Sequence, residues 1–228
     1  MLNIEDREAL NFYMTKIKPI LFCDFDGVLC HDQHWRSLPP KKYEKARELL
    51  FQNDAILLND WLRGKYTSEE INRIVSEKIH ISFEKLWDIF VKDCKTMRVS
   101  KDALEALNRL RDRYTVILVT GNMDSFKRFT QPTLALDKYF DHISISYYEG
   151  THKTDDRGKL FIKYANKYGV SIQNCILFDD STKVQKVFAE LGGTVYLVTP
   201  DQNLLYHLKN LFDRDASVGH RQNRPKYP

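Results

Sequence analysis

Short apolar runs recur along the chain, and most are followed by a stretch with helical spacing. Residues 19–24 (Pro-Ile-Leu-Phe-Cys-Asp) form a continuous apolar run that ends on an acid and turns at Gly27. Such a run predicts a strand buried on both faces. Similar runs predict strands over 114–119, 143–147, 174–178 and 194–198, the second of them rich in β-branched residues. Between and after them, helical spacing covers 101–113 through Leu104, Leu107 and Leu110, a segment starting near Asp124, 158–168 ended by Gly169, a segment running to Leu191, and 201–212. Strands alternating with helices in this way predict an α/β fold, a Rossmann-like parallel sheet flanked by helices.

One stretch breaks the alternation. From about 32 to 101 every periodic segment is helical: 43–51, 55–63, 68–77 and 82–95. Ser68, with Glu69, Glu70 and the apolar Ile71, Ile74 and Val75, reads as a capped amphipathic start. The expected organisation is therefore an α/β core over 1–31 and 102–212, a helical subdomain over 32–101, and a flexible basic tail over 213–228. The tail carries Arg214, Arg221, Arg224 and Lys226 against Asp213 and Asp215, without apolar periodicity.

Composition changes this picture little. The 228 residues are 43% hydrophobic and 29% charged, which is enough apolar material for a core and excludes wholesale disorder. No apolar stretch approaches the length needed to cross a bilayer, and the N-terminus lacks a basic start followed by an apolar run. The expectation is a soluble, cytoplasmic protein. The net charge of +4 gives no reason to expect nucleic-acid or membrane binding. Cys23, Cys30, Cys94 and Cys175 contain no Cys-x-x-Cys pair and suit packed, reduced thiols.

The polar groups sit in a consistent place. Three predicted strands end on Asp24, on Thr120 and on Asp179-Asp180. In a parallel sheet all such ends lie along one edge, where ligands bind. The set comprises four carboxylates (Asp24, Asp26, Asp179, Asp180), a hydroxyl with backbone amides (Thr120, Gly121, Asn122), and the lysines Lys153 and Lys159. Crowded carboxylates call for a hard cation, for which Mg2+ is the best match, while the hydroxyl, the amides and a lysine suit an anion. A cation facing an anion site is the layout of phosphoryl transfer.

At these residues the chain resembles the haloacid dehalogenase-like (HAD) superfamily. Asp24-Phe25-Asp26-Gly27-Val28-Leu29 is similar to its first motif, Val119-Thr120-Gly121-Asn122 to its second and Phe178-Asp179-Asp180-Ser181 to its fourth, over roughly residues 18–200. The resemblance implies that Asp24 is the nucleophile, becoming an aspartyl phosphate, and that Asp26 is the general acid and then the base. An ionised nucleophile beside it would raise the Asp26 pKa. The resemblance further implies that Asp24, the Asp26 backbone carbonyl and Asp179/Asp180 hold Mg2+, and that Thr120 and a lysine bind the phosphoryl group. The third-motif lysine departs from the usual Lys-Pro pattern. Lys159, at a predicted helix start, is preferred, with Lys153 as its rival. The family's dehalogenases lack an acid at the Asp26 position, so the residues imply a phosphomonoester hydrolase acting on a small phosphorylated substrate beneath a helical cap. A phosphomutase using the same intermediate, and a non-catalytic binding or scaffold protein of the same fold, remain as alternatives.

Other features read more plainly. Cys30-His31-Asp32-x-His34 lacks zinc-ligand spacing and is expected to be a solvated loop in which His31 or Asp32 touches substrate. Trp35, Trp61 and Trp87 fall in or beside the helical stretch, which cannot easily bury all three, so one is expected to face the site. Tyr147-Tyr148 is expected to pack on a strand.

Overall fold

The computed structural model describes residues 17–53 and 55–222. The reading of the N-terminus falls largely on residues 1–16 and that of the tail partly on 223–228, which lie outside the described residues. All five predicted strands are present: β1 (Ile20–Cys23), β2 (Thr115–Thr120), β3 (His142–Ile145), β4 (Ile176–Asp179) and β5 (Thr194–Leu197). They form one sheet in the order β3-β2-β1-β4-β5, with every pairing parallel. The chain builds outward from β1 through β2 to β3, then crosses to β4 on the other side. The crevice between β1 and β4 is thus the topological switch point, where ligands of open α/β sheets bind.

Period-two alternation divides the strands between two cores. Leu21, Cys23, Val116 and Leu118 face one layer, made by α5 (Lys101–Leu110) and α8 (Leu204–Gln222) through Leu104, Leu107, Leu204 and Leu208. Ile20, Phe22, Ile117 and Val119 face the other, made by α6 (Lys159–Lys167) and α7 (Thr182–Glu190). There Phe22, Phe161 and Phe188 meet edge to face, with centroids 4.8–5.8 Å apart. Each such aromatic pair contributes about 0.5–1.5 kcal/mol beyond burial. All of β1 is fully buried, which is why it reads as an unbroken apolar run.

Between β1 and α5 the chain forms α1 (Pro40–Glu48), α2 (Ala55–Leu62), α3 (Ser68–Ile79) and α4 (Phe83–Lys95). Their apolar faces make a third cluster around Trp35, Trp61, Ile71, Val75 and Phe90. Trp35 and Trp61 are both fully buried, and Trp35 Nε1 donates to Asn72 Oδ1 at 2.9 Å. Trp87 stacks on Phe83 and Phe90, so the insert accommodates all three tryptophans and none lines the cleft beside Asp24 and Asp26. Trp35 and Trp61 meet each other and Phe90 at tilts of 39–41° with centroids 5.2–6.2 Å apart, so one aromatic cluster holds both.

Several local expectations are corrected. Thr67, not Ser68, caps α3: its hydroxyl accepts from Glu70 N while Glu70 Oε2 accepts from Thr67 N, a reciprocal capping box. The segment after Asp124 is a series of short helical turns rather than one helix. Tyr147-Tyr148 follows β3 in a helical turn, not in the strand. The last helix runs to Gln222, past residue 212, where sequence periodicity ends. The Cys30–His34 segment is not simply solvated. Cys30 is buried, Asp32 accepts a forked pair of hydrogen bonds from Arg98 at 2.6 and 3.0 Å, and His34 stacks on Phe90. The hydrogen bonds from Arg98 hold the Asp32 carboxyl down at about 2. All four cysteines are buried and free. Among the described residues no helix is long and apolar enough to cross a membrane.

Candidate active site

Asp24 is the first residue beyond β1, and its N–H extends the ladder to β4 by donating to Phe178 O at 3.0 Å. Its carboxylate is nearly buried and doubly held: Oδ1 accepts from Phe25 N at 2.7 Å and Oδ2 from Lys153 Nζ at 2.5 Å. The chain then folds back tightly, with Leu29 N and Cys30 N both donating to Phe25 O at 2.9 Å. Gly27 sits in this turn at φ +73°, where a Cβ would collide with Asp180 Oδ2. The glycine therefore serves both the left-handed conformation and the close approach of Asp180.

Asp26 faces the same cleft. Asn122 Nδ2 donates to Asp26 Oδ2 at 2.6 Å and also to Thr120 Oγ1 at 2.9 Å. Asn122, expected among the anion-binding groups, thus commits its carboxamide to the acid and the hydroxyl. It is fixed from behind, since its carbonyl accepts from Tyr147 N and Ser146 Oγ at the end of β3. Burial pushes the Asp26 carboxyl up to about 6; Lys153 and the Asn122 hydrogen bond oppose the rise, and Asp180 adds to it. The expected direction is present, but desolvation leads it and the contributing acid is Asp180 rather than Asp24.

Lys153 is the lysine of the site. It is buried, with Nζ 2.5 Å from Asp24 Oδ2 and 2.6 Å from Asp179 Oδ2. Burial works against its charge, yet Asp24 and Asp179 together raise its pKa well above the ordinary range. Burial likewise drives the Asp24 carboxyl upward, opposed by Lys153. The preference for Lys159 is therefore corrected: Lys159 is exposed on the first turn of α6. The reason is the path of the intervening loop. Asp155 Oδ2 accepts from His152 N at 2.9 Å, a turn that keeps Lys153 at the sheet edge. Asp156, Arg157 and Gly158 then take successive left-handed conformations, after which α6 begins with Lys159 exposed.

Sequence reasoning missed His152, Asp155 and Arg63. His152 lines the cleft against Gly121, and its Nε2 is buried with no hydrogen-bond partner among the described residues. Burial brings this imidazole down to about 4. Asp155 also accepts from Arg63 of the helical insert, at 3.0 Å from Nε and 2.8 Å from Nη2. No spacing rule links residues so far apart in the chain, so only His152, as the neighbour of a candidate lysine, carried any signal.

The cleft lined by Asp24, Asp26, Gly121, His152, Lys153 and Asp180 has a volume of about 370 Å3, while Thr120 is buried and outside its lining. A larger cavity of about 570 Å3 lies at the opposite edge of the sheet, beside Pro19, Val170 and Thr194, and among the described residues no carboxylate or lysine lines it. Chemistry rather than size marks the site. Asp24, Asp179 and Asp180 bring carboxylate oxygens within 4.8 Å of one another. An all-oxygen set of this kind fits a small hard cation and not a thiophilic metal. Burial and the Asp179 charge raise the Asp180 carboxyl, the electrostatic sign of acids gathered without a counter-charge sufficient for all of them.

A central parallel sheet with acids gathered at the carboxyl ends of β1 and β4 defines an α/β protein whose candidate site lies on one sheet edge. Residues 19–183 match the family model described as haloacid dehalogenase-like hydrolase, and the chain belongs to that family. Solved structures agree on the fold. A HAD family enzyme of Bacteroides thetaiotaomicron, crystallised with magnesium and inorganic phosphate, superposes with a TM-score of 0.62 at 19% identity, over 80% of this chain and 94% of that one. A predicted HAD-like hydrolase of Porphyromonas gingivalis gives 0.60 at 15% identity, over 86% and 98%. An L-2-haloacid dehalogenase gives 0.58 at 14% identity, over 85% and 99%. No curated protein matches the chain.

Proposed function

We propose that this hydrolase is a phosphomonoester hydrolase that depends on Mg2+ and works through an aspartyl phosphate on Asp24. The observation that carries the reading is Asp26: a half-buried carboxyl, raised to about 6, aimed into the same cleft as Asp24 and held there by Asn122. A halide leaves carbon without needing a proton, whereas an alkoxide leaving phosphorus needs one, and a carboxyl with this pKa can give it near neutral pH.

In this reading an Asp24 oxygen attacks phosphorus as the ester oxygen departs, and Asp26 passes its proton to that oxygen. Asp26, now a carboxylate, takes a proton from water as the water attacks the phosphorus of the aspartyl phosphate. Inorganic phosphate is released, and both aspartates return to their starting states. Thr120 and the Gly121 amide would bind the phosphoryl oxygens, with Lys153 supplying positive charge beside Asp24. Asp24, the Asp26 carbonyl, Asp179 and Asp180 would hold Mg2+, which when bound supplies further charge neutralisation at the phosphoryl group. The helical insert, as a cap over this edge, would exclude bulk water and favour a small substrate.

The test is hydrolysis of p-nitrophenyl phosphate with Mg2+ by wild type, Asp24→Asn and Asp26→Asn. The expected result is turnover by wild type that Asp24→Asn abolishes and Asp26→Asn lowers by at least a hundredfold through lost activation of the attacking water, since p-nitrophenoxide itself leaves without a proton. Turnover of Asp24→Asn equal to wild type would eliminate the mechanism.

A further inference from the structure

The turn between α2 and α3, together with the first residue of α3, connects the insert to the site's loops at three places. Arg63 forks onto Asp155, which also accepts from His152 N and from Thr151 Oγ1. Gly64, at φ +81°, comes so close to the loop after β3 that a Cβ there would lie 2.6 Å from Tyr147 O. Ser68 donates from both N and Oγ to Asp124 Oδ1, two residues beyond Asn122. One short stretch of insert therefore grips both the loop bearing Lys153 and the loop bearing Asn122.

We infer that Asp155 is a positioning residue for Lys153, and that Arg63 makes this positioning depend on the docking of the helical insert. The Asp155 carboxylate fixes the amide immediately before Lys153, and Arg63 fixes that carboxylate through a two-point fork that a single rotation cannot preserve. Burial pushes the Asp155 carboxyl up, but the Arg63 and His152 hydrogen bonds outweigh it and hold the group ionised. The fork is only partly exposed, which limits its screening by solvent. With Arg63 in place, the 151–155 turn has one orientation and Lys153 Nζ reaches both Asp24 and Asp179. Without it, the turn keeps its sequence but loses its outer anchor. The catalytic consequence rests on the phosphatase reading; the mechanical coupling does not.

Two measurements separate them. Hydrogen exchange of the segment 151–158 is compared in wild type and Arg63→Ala, with β4 as an internal reference. Exchange in 151–158 is expected to speed up at least fivefold while β4 is unchanged; an unchanged 151–158 overturns the inference whatever the enzyme's substrate. Steady-state hydrolysis of p-nitrophenyl phosphate is then measured for Arg63→Ala, Asp155→Asn and the double variant. Each single variant is expected to lower kcat five- to twentyfold with KM changed less than twofold, and the double variant to be no slower than the slower single, because both act through one contact. Multiplicative losses, or losses confined to KM, would overturn positioning of Lys153. A wild type inert toward phosphate esters would instead remove the phosphatase reading and leave the exchange result to decide the coupling.

Discussion

Asn122 Nδ2 lies 2.6 Å from Asp26 Oδ2, and this one bond joins the end of β2 to the loop after β1. It orients the carboxyl that the proposed reaction needs as its proton donor, and the backbone contacts behind Asn122 leave the carboxamide little freedom. Asn122→Ala should therefore lower kcat by about ten- to hundredfold, corresponding to about 1.5–3 kcal/mol for a hydrogen bond to a charged group. KM for the ester should move much less. Steady-state kinetics with p-nitrophenyl phosphate checks this, and an unchanged kcat would show that Asp26 needs no such partner.

The two lysines give a direct comparison. Lys153→Met removes the ammonium that sits between Asp24 and Asp179, and activity should fall by more than a hundredfold. Lys159→Met alters an exposed side chain outside the cleft, and activity should stay within twofold of wild type. The reverse pattern would return the third-motif role to Lys159.

Gly27→Ala tests the close approach of Asp180. The added methyl must displace the Asp180 carboxylate and strain a residue at φ +73°. The Mg2+ concentration giving half-maximal activity should rise at least tenfold, since Asp180 is one of the three clustered acids. Titration of activity with Mg2+ measures it. An unchanged midpoint would show that Asp180 does not contribute to metal binding.

His34 predicts a pH dependence of stability. Burial lowers its imidazole to about 4 in the fold; the neighbouring Arg36 adds to this and Asp93 opposes it. The unfolded chain takes up the proton near 6.5. Between about 6.5 and 4 the unfolded state therefore binds more protons at this site, so the stability due to His34 is complete above 6.5 and is lost as pH falls through 4. The raised carboxyls Asp24 and Asp26 act in the opposite direction, so the contribution is isolated by difference. His34→Gln should flatten the decline of the urea midpoint between pH 7 and pH 4.5 relative to wild type. Parallel curves would show that this ring does not titrate differently in the two states.

Much of the frame is legible in sequence because it is written locally. An apolar run closing on an acid announces both the buried strand and the end at which its chemistry sits, and so Asp24, Thr120 and Asp179 fall into place without coordinates. Capping shows the limit of local reading: Thr67 and Ser68 are both competent caps by type, and only the reciprocal bond with Glu70 distinguishes them. Local pattern specifies the parallel α/β architecture, the helical stretch that interrupts it and the acids at the strand ends, because burial imposes periodicity and strand ends share an edge. Tertiary structure alone decided that Lys153 rather than Lys159 meets Asp24, that Asn122 serves Asp26, and that Arg63 reaches Asp155. Those relations depend on the course of irregular loops, where hydrogen bonds between residues far apart in the chain set direction and no repeating pattern records it.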